Sequence, residues 1–238
     1  MKIALLGYGK MGKAIEDIAR KRGHEIVLTI DQPNLHEFTP ENMAKADVAI
    51  EFTSPHSAYE NVKRCIEMSV PVVCGSTGWT DKLEEIKTLC KEKNGAFIYS
   101  SNYSVGVNIF FEVNKKLAAL MAPHKEYEVI LEETHHTQKK DAPSGTAITL
   151  AEQIMDLLPR KKQWINELSD HPEDLEIISQ RVDPAPGTHS IKYSSVIDDI
   201  EIIHTAHNRT GFATGAVLAA EFLQHKQGSF TMKDVLNL

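Results

Sequence analysis

Short apolar runs alternate with stretches of helical spacing through the first hundred residues. Lys2–Leu6, Glu25–Ile30, Val48–Phe52, Val70–Cys74 and Ala96–Ser100 read as strands, several of them apolar at nearly every position. Strands buried on both faces of a parallel sheet carry that pattern. Between them, Met11–Lys21 places Met11, Ile15, Ile18 and Ala19 at helical steps, and His56–Met68 and Lys82–Lys93 set an apolar stripe against a charged face. Alternation of this kind builds βαβ units, so the N-terminal part is expected to be α/β, a Rossmann-type doubly wound parallel sheet.

The pattern changes after Asn102. Val107, Phe110, Val113, Leu117 and Leu120 fall at three- and four-residue steps, which predicts a long amphipathic helix over Val107–Met121. A strand over Tyr127–His136, a polar loop and a helix from about Pro143 to Leu158 follow. Ser190–Val196 and Ile200–His204 read as antiparallel strands turning at Asp198-Asp199, and Gly215–Leu223 as a helix rich in small residues. Elements that no longer alternate regularly predict a second domain of α+β type. The run Asp183-Pro184-Ala185-Pro186-Gly187 is expected to be a rigid loop.

Composition narrows the picture. The 238 residues suffice for one large domain or two modest ones, and 42% hydrophobic with 25% charged residues is ordinary for a chain that buries a core. No apolar run approaches the roughly 18 residues that span a membrane. The apolar stretch at the N-terminus stops at Gly7, too short for a secretory signal, so the chain reads as cytoplasmic. Cys65, Cys74 and Cys90 have no C-x-x-C spacing, which favours neither a disulfide framework nor a zinc site. A net charge of −7 argues against nucleic acid as a partner. An anionic ligand therefore needs a local basic focus.

Gly7-Tyr8-Gly9-Lys10-Met11-Gly12 is a G-x-G-x-x-G that follows a predicted strand and opens a predicted helix. The first glycine permits the tight turn, the second lets backbone approach a pyrophosphate, and the third lets helix pack on strand. Asp31 closes the second strand, where a carboxylate for ribose hydroxyls belongs. Gly75, Ser76 and Thr77 after the fourth strand, and Ser100, Ser101, Asn102 and Tyr103 after the fifth, lie at the carboxyl ends where open α/β sheets bind ligands. All are candidate dinucleotide contacts. Asp31 favours NADH over NADPH, because a 2′-phosphate would meet its charge; Lys10 and Lys13 are the nearby cations.

The basic focus is His135-His136-Thr137-Gln138-Lys139-Lys140. A helix start follows it, with Asp141 as a candidate cap and then Pro143, Ser144, Gly145 and Thr146. Backbone N–H groups at Gly145 and Thr146, with the hydroxyls of Ser144 and Thr146, form a cradle for a carboxylate or phosphate. Adjacent strand residues point to opposite faces, so His135 and His136 can reach one ligand only if the strand ends or bulges there. Histidine can donate a proton in a reduction, and lysine can hold a carboxylate or act as an acid. No metal set is expected: His135 and His136 are sequence neighbours, and His204 with His207 flanks a predicted strand end.

Glu133 through Ala147 match every specified position of E-x-H-H-x-x-K-x-D-A-P-S-G-T-A, the signature of the dihydrodipicolinate reductases, which the chain resembles. The resemblance extends to the glycine loop, to Val72–Gly78, to Asn102-Tyr103-Ser104-Val105-Gly106-Val107-Asn108, and to His204-Thr205-Ala206 with Arg209, Phe212, Ala213 and Gly215-Ala216. The first loop lacks the family's common extra glycine. The resemblance implies a dinucleotide-binding domain of residues 1–104 completed by 213–238, and a substrate-binding and oligomerisation domain of residues 105–212. It further implies a homotetramer and NAD(P)H-dependent reduction of a small cyclic imine dicarboxylate, giving tetrahydrodipicolinate in lysine (diaminopimelate) biosynthesis. His135 would be the proton donor, Lys139 a second acid that also binds a carboxylate, and His136, Ser144, Gly145 and Thr146 substrate-holding residues. Two rivals share the N-terminal half: another two-domain dehydrogenase of sugar or semialdehyde type, and a non-catalytic dinucleotide sensor.

Overall fold

The computed structural model describes residues 1–208 and 210–238; Arg209, part of the resemblance above, lies outside the described residues. The chain forms two compact units, Met1–Val105 with Arg209–Leu238, and Gly106–Asn208.

The first unit begins β1 (Lys2–Leu6), α1 (Lys10–Lys21), β2 (Glu25–Ile30), a short α2 (Pro40–Met43), β3 (Val48–Glu51), α3 (Pro55–Glu67), β4 (Val72–Cys74), α4 (Leu83–Glu92) and β5 (Ala96–Tyr99). The second unit holds α5 (Val105–Met121, entering from the first), β6 (Glu128–His135), α6 (Gly145–Leu157), β7 (Gln163–Ile165), β8 (Asp174–Arg181), β9 (Gly187–Ser194) and β10 (Asp199–Ala206). The chain then returns to the first through α7 (Thr210–Leu223), β11 (Gly228–Phe230) and α8 (Met232–Leu236).

In the first unit six strands pair in the order β11-β5-β4-β3-β1-β2, every neighbouring pair parallel. Ile3, Leu5, Ile50 and Ile98 face α1 and α7, while Ala4, Leu6, Ala49 and Phe97 face α3 and α4. Burial on both faces explains the near-continuous apolar strands. β4 starts two residues later than its apolar run because Pro71 has no N–H to donate and serves the ladder only as acceptor, taking Ala49 N at 2.8 Å. The return helix α7 packs closely. A Cβ on Gly215 would stand 1.7 Å from the Tyr103 carbonyl oxygen, so only glycine fits. Ala213 and Ala216 sink into the same core, which puts α7 in the first unit from its start.

The second sheet has the order β10-β9-β6-β8-β7, with β6 central, antiparallel to β9 and parallel to β8. Strand alternation turns its register into rungs. Val129 stands opposite Tyr193, and Leu131 sits between Ile177 and Ile191, all against the apolar sides of α5 and α6. One step along the same face, Glu133 sits between Ser179 and His189, and then His135 lies beside Arg181. The core face thus becomes polar at the carboxyl end of β6. The β9–β10 turn, centred on Val196-Ile197, is two residues earlier than the sequence pattern suggests, closed by Ser195 N donating to Asp198 O at 3.0 Å. Among the described residues no helix is long and apolar enough to cross a membrane.

Candidate active site

The glycine loop has the geometry its spacing implies. Gly7 holds φ +90°, and a Cβ there would lie 2.1 Å from Phe52 O; a Cβ on Gly12 would lie 2.2 Å from Gly7 O. Both are glycine for packing reasons. Gly9 differs: nothing lies within 4 Å of its Cβ position, and as N-cap of α1 it supplies no side-chain cap. Open space before uncapped first-turn N–H groups suits a pyrophosphate. Asp31 stands beside this loop, its Oδ2 accepting from Tyr8 N at 3.3 Å and its Oδ1 from Gln32 N at 2.8 Å. An open cleft of about 260 Å³ is lined by Met11, Phe52, Thr53, Gly75, Ser76 and Thr77 among others. Lys10 is exposed, and Lys13 Nζ lies 5.8 Å from the Tyr8 ring centroid. Ser100 Oγ donates to Asn102 O at 2.7 Å, Ser101 is exposed, and Tyr103 turns into the core, donating to Cys74 O at 2.8 Å. Tyr103 can therefore meet a cofactor only through its backbone. The groups present fit a nicotinamide dinucleotide.

In the second unit β6 ends at His135, which releases His136 from strand alternation. His135 is buried and His136 half-buried. The following loop is pinned by Thr137, whose N and Oγ1 donate to Asp183 at 3.1 and 2.6 Å. Lys139 Nζ lies 2.9 and 2.8 Å from the two carboxylate oxygens of Asp141. Asp141, expected as the cap of α6, is engaged there instead. The N-cap is Ser144, whose Oγ accepts from Ala147 N at 3.2 Å and lies 3.2 Å from His189 Nε2. It wins because its backbone N–H is tied to Glu133, at 3.1 and 3.2 Å from the two oxygens. Gly145 is exposed, with nothing within 4 Å of its Cβ position, so the start of α6 is open to an anion.

Several contributors were not legible as such. Glu133, quoted in the motif without a role, is 1% exposed and accepts from Ser179 Oγ at 2.7 Å and Arg181 Nη2 at 3.2 Å. His189 reaches it from β9, and a Cβ on Gly187 would stand 3.1 Å from His135 Nε2. These residues come from strands 40 to 60 positions downstream, and only the register brings them together.

Electrostatics follow from burial. Desolvation pushes His135 down to about 4; Glu133 opposes this, while His189, Lys139 and Arg181 add to it. Burial would raise the Glu133 carboxyl, but His189, Ser144, Ser179 and the charge on His135 outweigh it and hold the group well below the carboxylate range. Desolvation also lowers His204, on β10 beside His189. Glu133, His135 and His189 place ligand-type atoms within 4.8 Å of one another. Arg181 already occupies one Glu133 oxygen, and Lys139 opposes positive charge at His135.

A glycine-loop dinucleotide fold in one unit and a buried imidazole beside an ammonium and an anion cradle in the other define an NAD(P)H-dependent oxidoreductase. Residues 1–103 match the family model described as dihydrodipicolinate reductase, N-terminus, and residues 106–236 match dihydrodipicolinate reductase, C-terminus. The 4-hydroxy-tetrahydrodipicolinate reductase of Christiangramia forsetii is 48% identical over 241 residues, covering 100% of this chain and 98% of the relative. That of Alkaliphilus oremlandii is 33% identical, covering 97% and 95%. A solved dipicolinate-bound dihydrodipicolinate reductase from Paenisporosarcina sp. TG-14 superposes with a TM-score of 0.76 at 23% identity, covering 97% of each chain. The chain belongs to the dihydrodipicolinate reductase family.

Proposed function

We propose that this chain reduces 4-hydroxy-tetrahydrodipicolinate, whose hydroxyl leaves as water, to tetrahydrodipicolinate in lysine (diaminopimelate) biosynthesis, as a cytoplasmic homotetramer using NADH in preference to NADPH. The observation that carries the reading is the grouping at the end of β6: buried His135, Lys139 on the loop, and the start of α6, open at Gly145 beside its buried cap Ser144. A bound reduced nicotinamide supplies the hydride. Gly7, Gly9 and Gly12 with the start of α1 hold its pyrophosphate, and Asp31 its ribose. Ser144, Gly145 and Thr146, with His136 and Lys139, hold the substrate carboxylates, and His135 delivers the proton.

His135 titrates near 4 in the free protein, so it needs help to carry a proton at neutral pH. The substrate provides it. A unit negative charge about 4 Å away, at an effective dielectric near 20, favours the imidazolium by roughly 4 kcal/mol, or about three pKa units. A bound dicarboxylate thus brings the titration of His135 close to neutral pH, where the ring can take up a proton. The cofactor preference rests on Asp31 followed by Gln32, where no guanidinium stands to meet a 2′-phosphate. The test is a coupled assay in which a synthase generates the substrate and nicotinamide absorbance reports consumption. Substrate-dependent oxidation of NADH is expected; its absence with both cofactors overturns the reading.

A further inference from the structure

The proposed chemistry leaves Glu133 without a part, although its carboxylate is almost completely buried. Its two oxygens have different surroundings. Oε1 accepts from Ser179 Oγ at 2.7 Å, Ser144 N at 3.1 Å and Arg181 Nη2 at 3.2 Å. These donors come from β8 and from the cap of α6, and they fix the plane of the group. Oε2 shares the Ser144 N–H, at 3.2 Å, and faces the two imidazoles, 3.4 Å from His135 Nδ1 and 3.7 Å from His189 Nε2. His135 Nδ1 is buried and makes no hydrogen bond, with Glu133 Oε2 facing it at 3.4 Å. Contacts of this length tighten when a ligand closes a site. The other ring nitrogen lies toward Gly187, where any side chain would crowd it.

We infer that Glu133 is the positioning residue of His135: its Oε2 takes the Nδ1 proton, so that the ring presents Nε2 as the nitrogen that gives its proton to substrate, and His189 competes for the same oxygen. The inference rests on the reading of His135 as proton donor. In the step, the Nε2–H bond breaks as the substrate takes the proton alongside the hydride, and the imidazolium becomes a neutral ring that keeps Nδ1–H on Glu133. The groups facing His135 are Glu133 on β6, Arg181 on β8, His189 on β9 and Lys139 on the loop. Among these only Glu133 favours charge on the ring. Without it the acid is harder to charge and free to turn.

The test is Glu133→Gln, which keeps size and removes charge. The kcat is expected to fall tenfold or more with NADH affinity unchanged and substrate KM within a few-fold. The basic limb of the kcat–pH profile, where the acid loses its proton, is expected to move to lower pH. Glu133→Asp, which retains the charge, should restore part of both. Ring-nitrogen NMR of the ligand-free protein gives a readout independent of turnover: His135 should be the Nδ1–H tautomer in wild type and a mixture in Glu133→Gln. Should Glu133→Gln fail to fold, His189→Gln serves instead, since removing the competing ring should raise the His135 titration. An unaltered pH profile and tautomer in Glu133→Gln, or an unmoved His135 titration in His189→Gln, overturns the inference. A wild type without turnover but with the Nδ1–H tautomer overturns the proposed function alone.

Discussion

Burial of His135 carries a consequence for stability that is separable from catalysis. Its folded titration near 4 lies below the unfolded value near 6.5, so between the two the unfolded chain binds a proton that the folded chain refuses. The stabilisation is present above pH 6.5 and is lost as pH falls toward 4. At pH 7 the proton-linked cost is about 0.2 kcal/mol; at pH 5 it is about 2 kcal/mol, and below pH 4 it levels near 3 kcal/mol. His204 is shifted the same way and adds to the total, so the share of His135 must be taken by difference. Glu133 is held well below the carboxylate range when folded, so it adds a loss in the same direction below about pH 5, where the unfolded carboxyl takes up its proton.

The measurement is urea unfolding of the ligand-free chain at pH 7 and pH 5, wild type against His135→Gln. Trp164 fluorescence in a Trp79→Phe background reports on the second unit, since Trp79 belongs to the first. Wild type should lose about 2 kcal/mol more than His135→Gln between the two pH values. Equal losses in the two proteins, within about 0.5 kcal/mol, would refute the claim that His135 is a desolvated neutral ring.

Three further outcomes are expected. His135→Ala and Lys139→Ala should each lower turnover by roughly 10²–10⁴-fold with cofactor affinity barely changed; near-normal steady-state rates in both would remove their proposed roles. Wild type should favour NADH over NADPH by about 5–30-fold in kcat/KM, and Gln32→Arg should narrow the gap; a wild type favouring NADPH would turn attention to Lys10. Gly215→Ala drives a Cβ into the Tyr103 carbonyl, so it should abolish soluble folded protein or cost more than 4 kcal/mol; a thermal midpoint within a few degrees of wild type would show that α7 can move aside.

What the sequence made legible and what it hid divide along a physical line. Period-2 and period-3.6 patterns are local, so β1, β2, α1 and α3 can be read within a residue or so. The glycine loop is local too, because turn, helix start and strand end are successive in the chain. β8, Asp174–Arg181, escapes such reading: its apolar face is only Leu175 and Ile177 before Ser179 and Arg181 replace the core with bonding groups. β7 and β11 are three residues each, too short to show a period. The same substitution of polar for apolar at a strand end builds the site. Glu133, His135, Ser179, Arg181 and His189 all occupy positions where alternation demands an inward residue and the pattern predicts an apolar one. A buried charge there is tolerable only because each rung supplies the next donor, Ser179 and Arg181 from one side and His189 from the other. A motif reveals His135 and Lys139 because they follow one another. The carboxylate that we infer to orient His135, and the ring that competes for it, become visible only once three strands are laid in register.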